Sequence, residues 1–368
     1  RGGSGLLLTG NIMVDSNALG EQGNVAVEDE RHMEGLRAWA QASTAHGTHA
    51  WVQINHPGRQ SPRFVSRQPV APSPVPLKGF AGLFATPRAL EDHEIRNIID
   101  RFAATAALTQ EAGFTGVQIH GAHGYLISQF LSPRTNLRND AWGGTPENRR
   151  RFLLEIVRKV RAAVGDSYPV SVKLNSADFQ KGGFTQEESM NVIAALEAEG
   201  VDLIEISGGT YEVAVMFAEP PRRESTRRRE AFFLDYAEQV RTQTKLPLMV
   251  TGGFRTREGM DSALASGAVD LIGVARPLAV EPDLPNRLID GSQEAALSIA
   301  LDTGYKVLDS VLQGGWYQAQ MVRMAKGQEP DPKFARTRAA LAYLFPNTKT
   351  TPIAPTSTAA HAHAAVAT

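Results

Sequence analysis

Short apolar runs alternate with longer amphipathic stretches along most of this chain. Runs at Gly5–Thr9, Ala50–Asn55, Gly116–His120, Val170–Asn175, Leu203–Ser207, Leu248–Thr251 and Leu271–Val274 predict β-strands. Each is too short for a helix and is bounded by turn residues, as a buried strand is. Most are followed by Gly, Asn, His or Ser, the polar endings of strands that carry a site on their loops. Helical patterns lie between them. Ile95, Ile98, Ile99 and Phe102 share one helical face, as do Phe152, Ile156, Val160 and Val164. Helix starts are marked as well: Thr145-Pro146 predicts an N-cap with proline in the first turn, and Thr185-Gln-Glu-Glu188 a capping box.

Repeated βα units with near-continuous apolar strands imply a parallel sheet covered on both faces. Seven strands are legible, whereas a closed (β/α) barrel needs eight and a doubly wound sheet commonly has fewer. No G-x-G-x-x-G follows a strand, which argues against a dinucleotide-type doubly wound sheet. The strand pattern also begins abruptly at Arg1. The expectation is therefore an α/β fold, a TIM (β/α)8 barrel whose first βα unit is missing from this sequence. Residues 1–345 are expected to form that barrel, with a helical extension from about residue 281 in which Gly314-Gly-Trp-Tyr317 makes a turn. Residues 346–368, rich in Pro, Thr and Ala, predict a disordered tail.

Composition narrows the function mostly by exclusion. The 368 residues carry a formal net charge of −1, no electrostatic footprint for nucleic acid or an anionic membrane. A 42% hydrophobic content suffices for a sizeable core. No apolar run approaches the ~18–20 residues of a membrane span. The absence of cysteine excludes disulfides, thiolate catalysis, zinc–thiolate sites and iron–sulfur clusters within these residues, and fits a cytoplasmic protein.

The candidate chemistry is concentrated after the third apolar run. Ile119-His-Gly-Ala-His-Gly-Tyr125 places His120, His123 and the Tyr125 phenol at the end of a strand. Two ring donors three residues apart can hold one oxygen while a nearby phenol delivers a proton. That pairing suits reduction of an activated double bond better than hydrolysis. A structural role or a metal site is the alternative, since imidazoles are common ligands. The position at the C-terminal end of a parallel strand, where barrel enzymes keep their active sites, favours the functional reading.

A phosphate site is the second signal. Val250-Thr-Gly-Gly-Phe-Arg-Thr256 sets Gly252 and Gly253 after a strand and before a helix capped by Thr256. Backbone N–H groups there can face a phosphate with the helix dipole behind them. The next strand ends Gly273-Val-Ala-Arg-Pro277, so Ala275 and Arg276 would join it. Loops after the last two strands form the recurring phosphate site of such barrels. On the bland reading the glycines make a tight turn and Arg276 pairs with a surface carboxylate. Gln53 and Lys173 stand inside apolar runs, where an unpaired amide or ammonium is costly. A flavin edge would partner both; so would a neighbouring loop for Gln53 and a barrel carboxylate such as Glu205 for Lys173. Pro221–Glu230 gathers five arginines, a solvated face or an attractor for a phosphorylated reductant such as NADPH.

These residues resemble the old yellow enzyme family, the FMN-dependent NAD(P)H:flavin oxidoreductases or ene-reductases. The matching text is Val52-Gln-Ile-Asn-His-Pro-Gly-Arg59, Gly116–Leu126, Gln129-Phe-Leu-Ser-Pro133, Gly143-Gly144 with Glu147-Asn-Arg149, and Val250-Thr-Gly-Gly-Phe254. The resemblance implies a TIM barrel with FMN at its C-terminal mouth and NADPH or NADH as reductant. Hydride would pass through flavin N5 to the activated C=C bond of an α,β-unsaturated carbonyl or nitro compound. His120 and His123 would grip the substrate oxygen and Tyr125 would protonate the alkene carbon. Gln53 and Lys173 would bind the isoalloxazine edge, with Asn11 near the ring at the end of its strand. Gly252, Gly253, Ala275 and Arg276 would bind the phosphate. The chain departs from the family at Lys173, where many members carry arginine, at Ala275, a frequent glycine, and in the missing first strand.

Overall fold

All seven apolar runs become parallel strands of one sheet. The computed structural model describes residues 2–80, 82–213, 233–299 and 306–339. In chain order the strands are β1 (Leu6–Met13), β2 (Val25–Ala26), β3 (His49–Asn55), β4 (Val70–Ala71), β5 (Arg88–Ala89), β6 (Gly116–Gly121), β7 (Val170–Asn175), β8 (Leu203–Ser207), β9 (Leu248–Thr251) and β10 (Leu271–Gly273). The sheet order is β10-β9-β8-β7-β6-β3-β1-β2, and β4 pairs with β5 apart from it. Every ladder is parallel, so all strand tips that carry candidate residues lie on one rim. Among the described residues no ladder joins β10 to β1, and the barrel wall stays open there.

Alternation along the strands separates two environments. Val52, Ile54, Val117, Ile119, Val172, Leu174, Ile204 and Ile206 belong to one apolar core with the helices. The intervening positions are Gln53, Gln118, His120, Ser171, Lys173 and Glu205, a polar set on the opposite face of the wall. The helices covering the apolar face are α1 (Met33–Thr44), α2 (Asp92–Glu111), α3 (Leu126–Leu131), α4 (Pro146–Val164), α5 (Gln186–Ala198), α6 (Leu234–Arg241) and α7 (Arg257–Ala265), while α8 (Leu284–Ile289) buries Leu284 and Leu288 in a separate cluster with Ala296. On α2 and α4 the predicted stripes are buried, and Phe152 stacks on Phe130 of α3 at 4.2 Å between ring centroids. The predicted caps form: Thr145 accepts from the Asn148 N–H, and Thr185 and Glu188 complete a capping box at the start of α5.

The first strand differs from the sequence reading. It runs on through Thr9-Gly-Asn to Met13, so Asn11 lies inside β1 and not at its end. The register shifts between Leu8 and Asn11, and the Thr9 hydroxyl accepts the Gln53 N–H at 3.0 Å, bridging the irregularity until pairing resumes at Asn11 opposite Gln53.

After β10 the buried carboxylate of Glu281 gathers the irregular region by accepting from Gln293, Arg287 and the Leu297 backbone. The described residues after Leu297 belong to a second compact unit, of which α9 (Lys306–Ala325) is the main element. The turn expected at Gly314-Gly-Trp-Tyr317 is absent; those residues lie within α9. Each helical glycine costs only about 1 kcal/mol relative to alanine. Anchoring offsets that cost here, because Trp316 is buried and donates its indole N–H to the Phe334 carbonyl. The arginine run and the tail from Pro346 fall outside the described residues.

Candidate active site

Two registers of the sheet, two residues apart, build the site. Asn11 stands opposite Gln53, and Gln53 opposite Gln118; two residues further on, His120 stands opposite Lys173, and Lys173 opposite Glu205. Partners at one register of a parallel ladder project to the same side, which brings residues nearly 200 positions apart onto one polar wall. Gln53 Nε2 donates to Gln118 Oε1 at 2.6 Å, and Lys173 Nζ lies 2.8 Å from Glu205 Oε1. Lys173 is thus met by the barrel carboxylate, and Gln53 by an amide on the next strand instead of a loop.

His120 is buried, and its Nδ1 accepts the Ala122 N–H at 3.2 Å. A nitrogen that accepts is unprotonated, so the ring's single proton sits on Nε2 and makes that atom the donor. Burial, then the neighbouring His123 and the Lys173 cation, hold its pKa well below the ordinary histidine value; burial followed by Lys173 does the same for His123. Both rings are neutral at physiological pH. Their centroids lie 5.0 Å apart.

His123 has a left-handed backbone, φ 60°, which costs a non-glycine residue about 1–3 kcal/mol and persists only where surroundings over-determine it. Three contacts do so. Its carbonyl accepts from Gln60 Nε2 at 3.1 Å, its N–H donates to Asn175 Oδ1 at 3.1 Å, and Nε2 lies 2.7 Å from Ser207 Oγ. The strained turn carries the chain from β6 to Tyr125, the residue preceding α3. The Tyr125 ring stands 4.9 Å from that of His120. Its oxygen accepts from Asn11 Nδ2 at 3.3 Å and lies 3.0 Å from the Tyr211 hydroxyl. Burial pushes the Tyr125 pKa above the usual tyrosine value.

The structure therefore brings Asn11, His120, His123 and Tyr125 into one cluster, with Gln53 and Lys173 in the ladders beside it. The remaining predicted residues lie on neighbouring strand tips. Gly273 pairs with Thr251, so Gly252 and Gly253 follow β9 where Ala275 and Arg276 follow β10. Both glycines have positive φ, 116° and 97°, a backbone that residues with a Cβ rarely adopt. Thr256 caps α7 behind them by accepting from the Gly259 N–H. Sequence reasoning overlooked Tyr211, Gln118, Asn175 and Ser207. The rule that found His120 would have flagged Tyr211, which follows β8 and its Gly208-Gly209 pair.

A polar wall with neutral imidazole donors and a buried phenol, next to a glycine-rich rim, defines the class: a barrel oxidoreductase that works with an organic redox cofactor. Residues 1–294 match the family model described as the NADH:flavin oxidoreductase / NADH oxidase family, and the chain belongs to that family, the old yellow enzyme type. It is 41% identical over 315 residues to the NADH-dependent flavin oxidoreductase iliE of Hypocrea jecorina, covering 78% of this chain and 77% of the relative. It superimposes on a 2-naphthoyl-CoA reductase in complex with 2-naphthoyl-CoA with a TM-score of 0.72 at 30% identity, over 79% of this chain and 45% of that one. The old yellow enzyme homologue of Zymomonas mobilis gives a TM-score of 0.67 at 27% identity, over 81% and 83%.

The fold is that of a TIM barrel, the activity is flavin-dependent oxidoreduction, the cofactor is FMN and the reductant is NADH or NADPH. The residues present suit FMN. Asn11 Oδ1 and Gln118 Nε2 are buried without partners, one acceptor and one donor, as the hydrogen-bonding edge of a flavin requires. Among the described residues no helix is long and apolar enough to cross a membrane.

Proposed function

We propose that the chain reduces the activated C=C bond of α,β-unsaturated carbonyl or nitro compounds. When bound, FMN would supply the redox chemistry, hydride transfer between the reduced nicotinamide and the alkene. Gln53, Gln118, Lys173 and Asn11 would hold its ring edge, and Gly252, Gly253, Ala275 and Arg276 its phosphate. His120 Nε2–H and the Nδ1 of His123, the ring nitrogen not against Ser207, would grip the substrate oxygen. In comparable sites each strong donor aimed at a developing oxyanion contributes roughly 3–4 kcal/mol to the transition state. Tyr125 would give its proton to the α-carbon.

The observation that carries this reading is the fixed tautomer of His120, a neutral donor 4.9 Å from the Tyr125 ring. A neutral imidazole polarises a carbonyl without surrendering a proton, and so leaves protonation of carbon to the phenol. The test is a visible spectrum of the FMN-loaded full chain, taken before and after anaerobic NADH or NADPH and again after 2-cyclohexen-1-one or a nitroalkene. Bleaching by the nicotinamide and recovery of the yellow absorbance with the alkene are expected. Recovery with oxygen but with neither alkene overturns ene-reduction.

A further inference from the structure

We infer that Tyr211 is a positioning residue for Tyr125: it aims the Tyr125 proton at the substrate and hands its own proton to that phenol as it leaves. The inference rests on the proposed role of Tyr125 as proton donor.

The geometry begins with the Tyr125 oxygen. A phenolic oxygen has one proton to give and room to accept from neighbours. Asn11 Nδ2 already donates to it at 3.3 Å. The Tyr211 hydroxyl lies 3.0 Å away, and when it too donates, the only direction left for the Tyr125 proton is out of this pair. A lone Tyr125 phenol could instead turn its proton toward a neighbouring acceptor.

Burial supplies the second argument. Tyr125 is buried whereas Tyr211 is half-exposed, so the two phenols form a short path from the interior toward solvent. As the Tyr125 O–H bond breaks, the new C–H bond forms at the α-carbon. Tyr125 acting alone would be left as a buried phenolate, a costly species in a site facing His120 and, more remotely, the Glu21 carboxylate. In the same transition state the Tyr211 O–H bond breaks and the Tyr125 O–H bond is restored, so both protons move together. Tyr211 then takes a proton from water. No electrons move in this relay, and an asparagine amide cannot replace it, since Asn11 has no acidic proton to spare.

Tyr211 is also built into place. Its neighbour Glu212 receives Arg59 Nη2 at 2.8 Å, from a guanidinium almost wholly buried, and accepts the Lys78 N–H through its other oxygen at 3.1 Å. Arg59 donates further to the Val75 and Pro76 carbonyls. The Tyr211 ring packs on Phe80 and Phe84, with centroids 6.3 and 6.4 Å away. The loop after β8 is thus clamped to the segments after β3 and β4, and Tyr211 is the side chain this clamp holds over Tyr125.

The test is Tyr211→Phe in the full FMN-loaded chain, which keeps the ring on Phe80 and Phe84 and removes only the hydroxyl. Rates are taken per bound flavin by stopped flow, with NADH for reduction and 2-cyclohexen-1-one for reoxidation, in mixtures of H2O and D2O. Reduction and the alkene KM should change less than twofold, while reoxidation slows by about tenfold or more, less than the loss of the general acid itself. Reoxidation should depend on deuterium fraction along a bowed curve in the wild type, two protons moving, and along a straight line in Y211F. Loss of packing alone would not change that curvature. Equal slowing of both half-reactions, or unchanged reoxidation with the bow retained, overturns the inference. Tyr125→Phe run alongside separates the two readings. If Y125F slows reoxidation and Y211F does not, only the role of Tyr211 falls; if neither slows it, the proton-donor role of Tyr125 falls as well.

Discussion

Lys173 on β7 and Glu205 on β8 face each other at one register, with 2.8 Å between Nζ and Oε1. The carboxylate is almost fully buried and its other oxygen has no partner, so removing the ammonium would leave a charge with nothing opposite it. Breaking one side of such a pair costs about 3–5 kcal/mol, whereas removing both sides is often near neutral. Lys173→Met should therefore lower the urea midpoint clearly, and the double variant Lys173→Met with Glu205→Leu should recover most of the loss. A double variant less stable than K173M would show that the pair is not the source of the effect.

Tyr125→Phe removes the phenol oxygen that Asn11 and Tyr211 contact, and leaves the ring beside His120. General acid catalysis contributes about 100- to 10,000-fold. Reoxidation of the reduced chain by 2-cyclohexen-1-one should slow within that range while reduction by NADH stays nearly constant. Stopped-flow traces showing equal loss in both half-reactions would remove Tyr125 from the role of proton donor.

The two imidazoles should also bind phenolate-type ligands, which present an oxygen where the substrate carbonyl would lie. Replacing both His120 and His123 by alanine should weaken binding of a phenol by well over tenfold, given roughly 3–4 kcal/mol per strong donor in such sites. The long-wavelength charge-transfer band of the flavin–phenol complex should fade with it. An undiminished band would argue against an oxyanion grip.

Buried His56 and His120, with half-buried His123, make stability depend on pH. Burial pushes His56 down to about 4 and holds His120 and His123 well below the ordinary value. Above about pH 6.5 these rings are neutral whether the chain is folded or not, and the shift has no effect. Below it the unfolded chain binds protons that the folded chain refuses, so stability falls as pH falls. For His56 the window runs from about 6.5 to 4 and amounts to about 3 kcal/mol. The urea midpoint should drop between pH 7 and pH 5, with a shallower slope in His56→Asn. A midpoint flat across that range would contradict neutral burial.

Much of the fold was legible in the order of the residues. Strands β7, β8 and β9 fall where their apolar runs end, and the caps at Thr145 and Thr185 form as their spacing predicts. The His120, His123 and Tyr125 cluster was legible too, because its members share one short segment at a strand tip. Two local readings failed where distant contacts outweighed propensity. Asn11 stays in β1 because the Thr9 hydroxyl bridges the bulge to β3, and Gly314-Gly315 stay helical with Trp316 anchored to Phe334.

Taken alone, the order of residues determined the βα rhythm, the helix caps and the imidazole–phenol segment, since each depends on side chains only a few positions apart. Tertiary structure alone decided that Lys173 meets Glu205, that Asn11 reaches Tyr125 across 114 residues, and that Tyr211 stands against Tyr125 from 86 residues away. The physical reason is register. Local periodicity determines which face of a strand a side chain takes, but only pairing of the strands sets which distant residue it meets there.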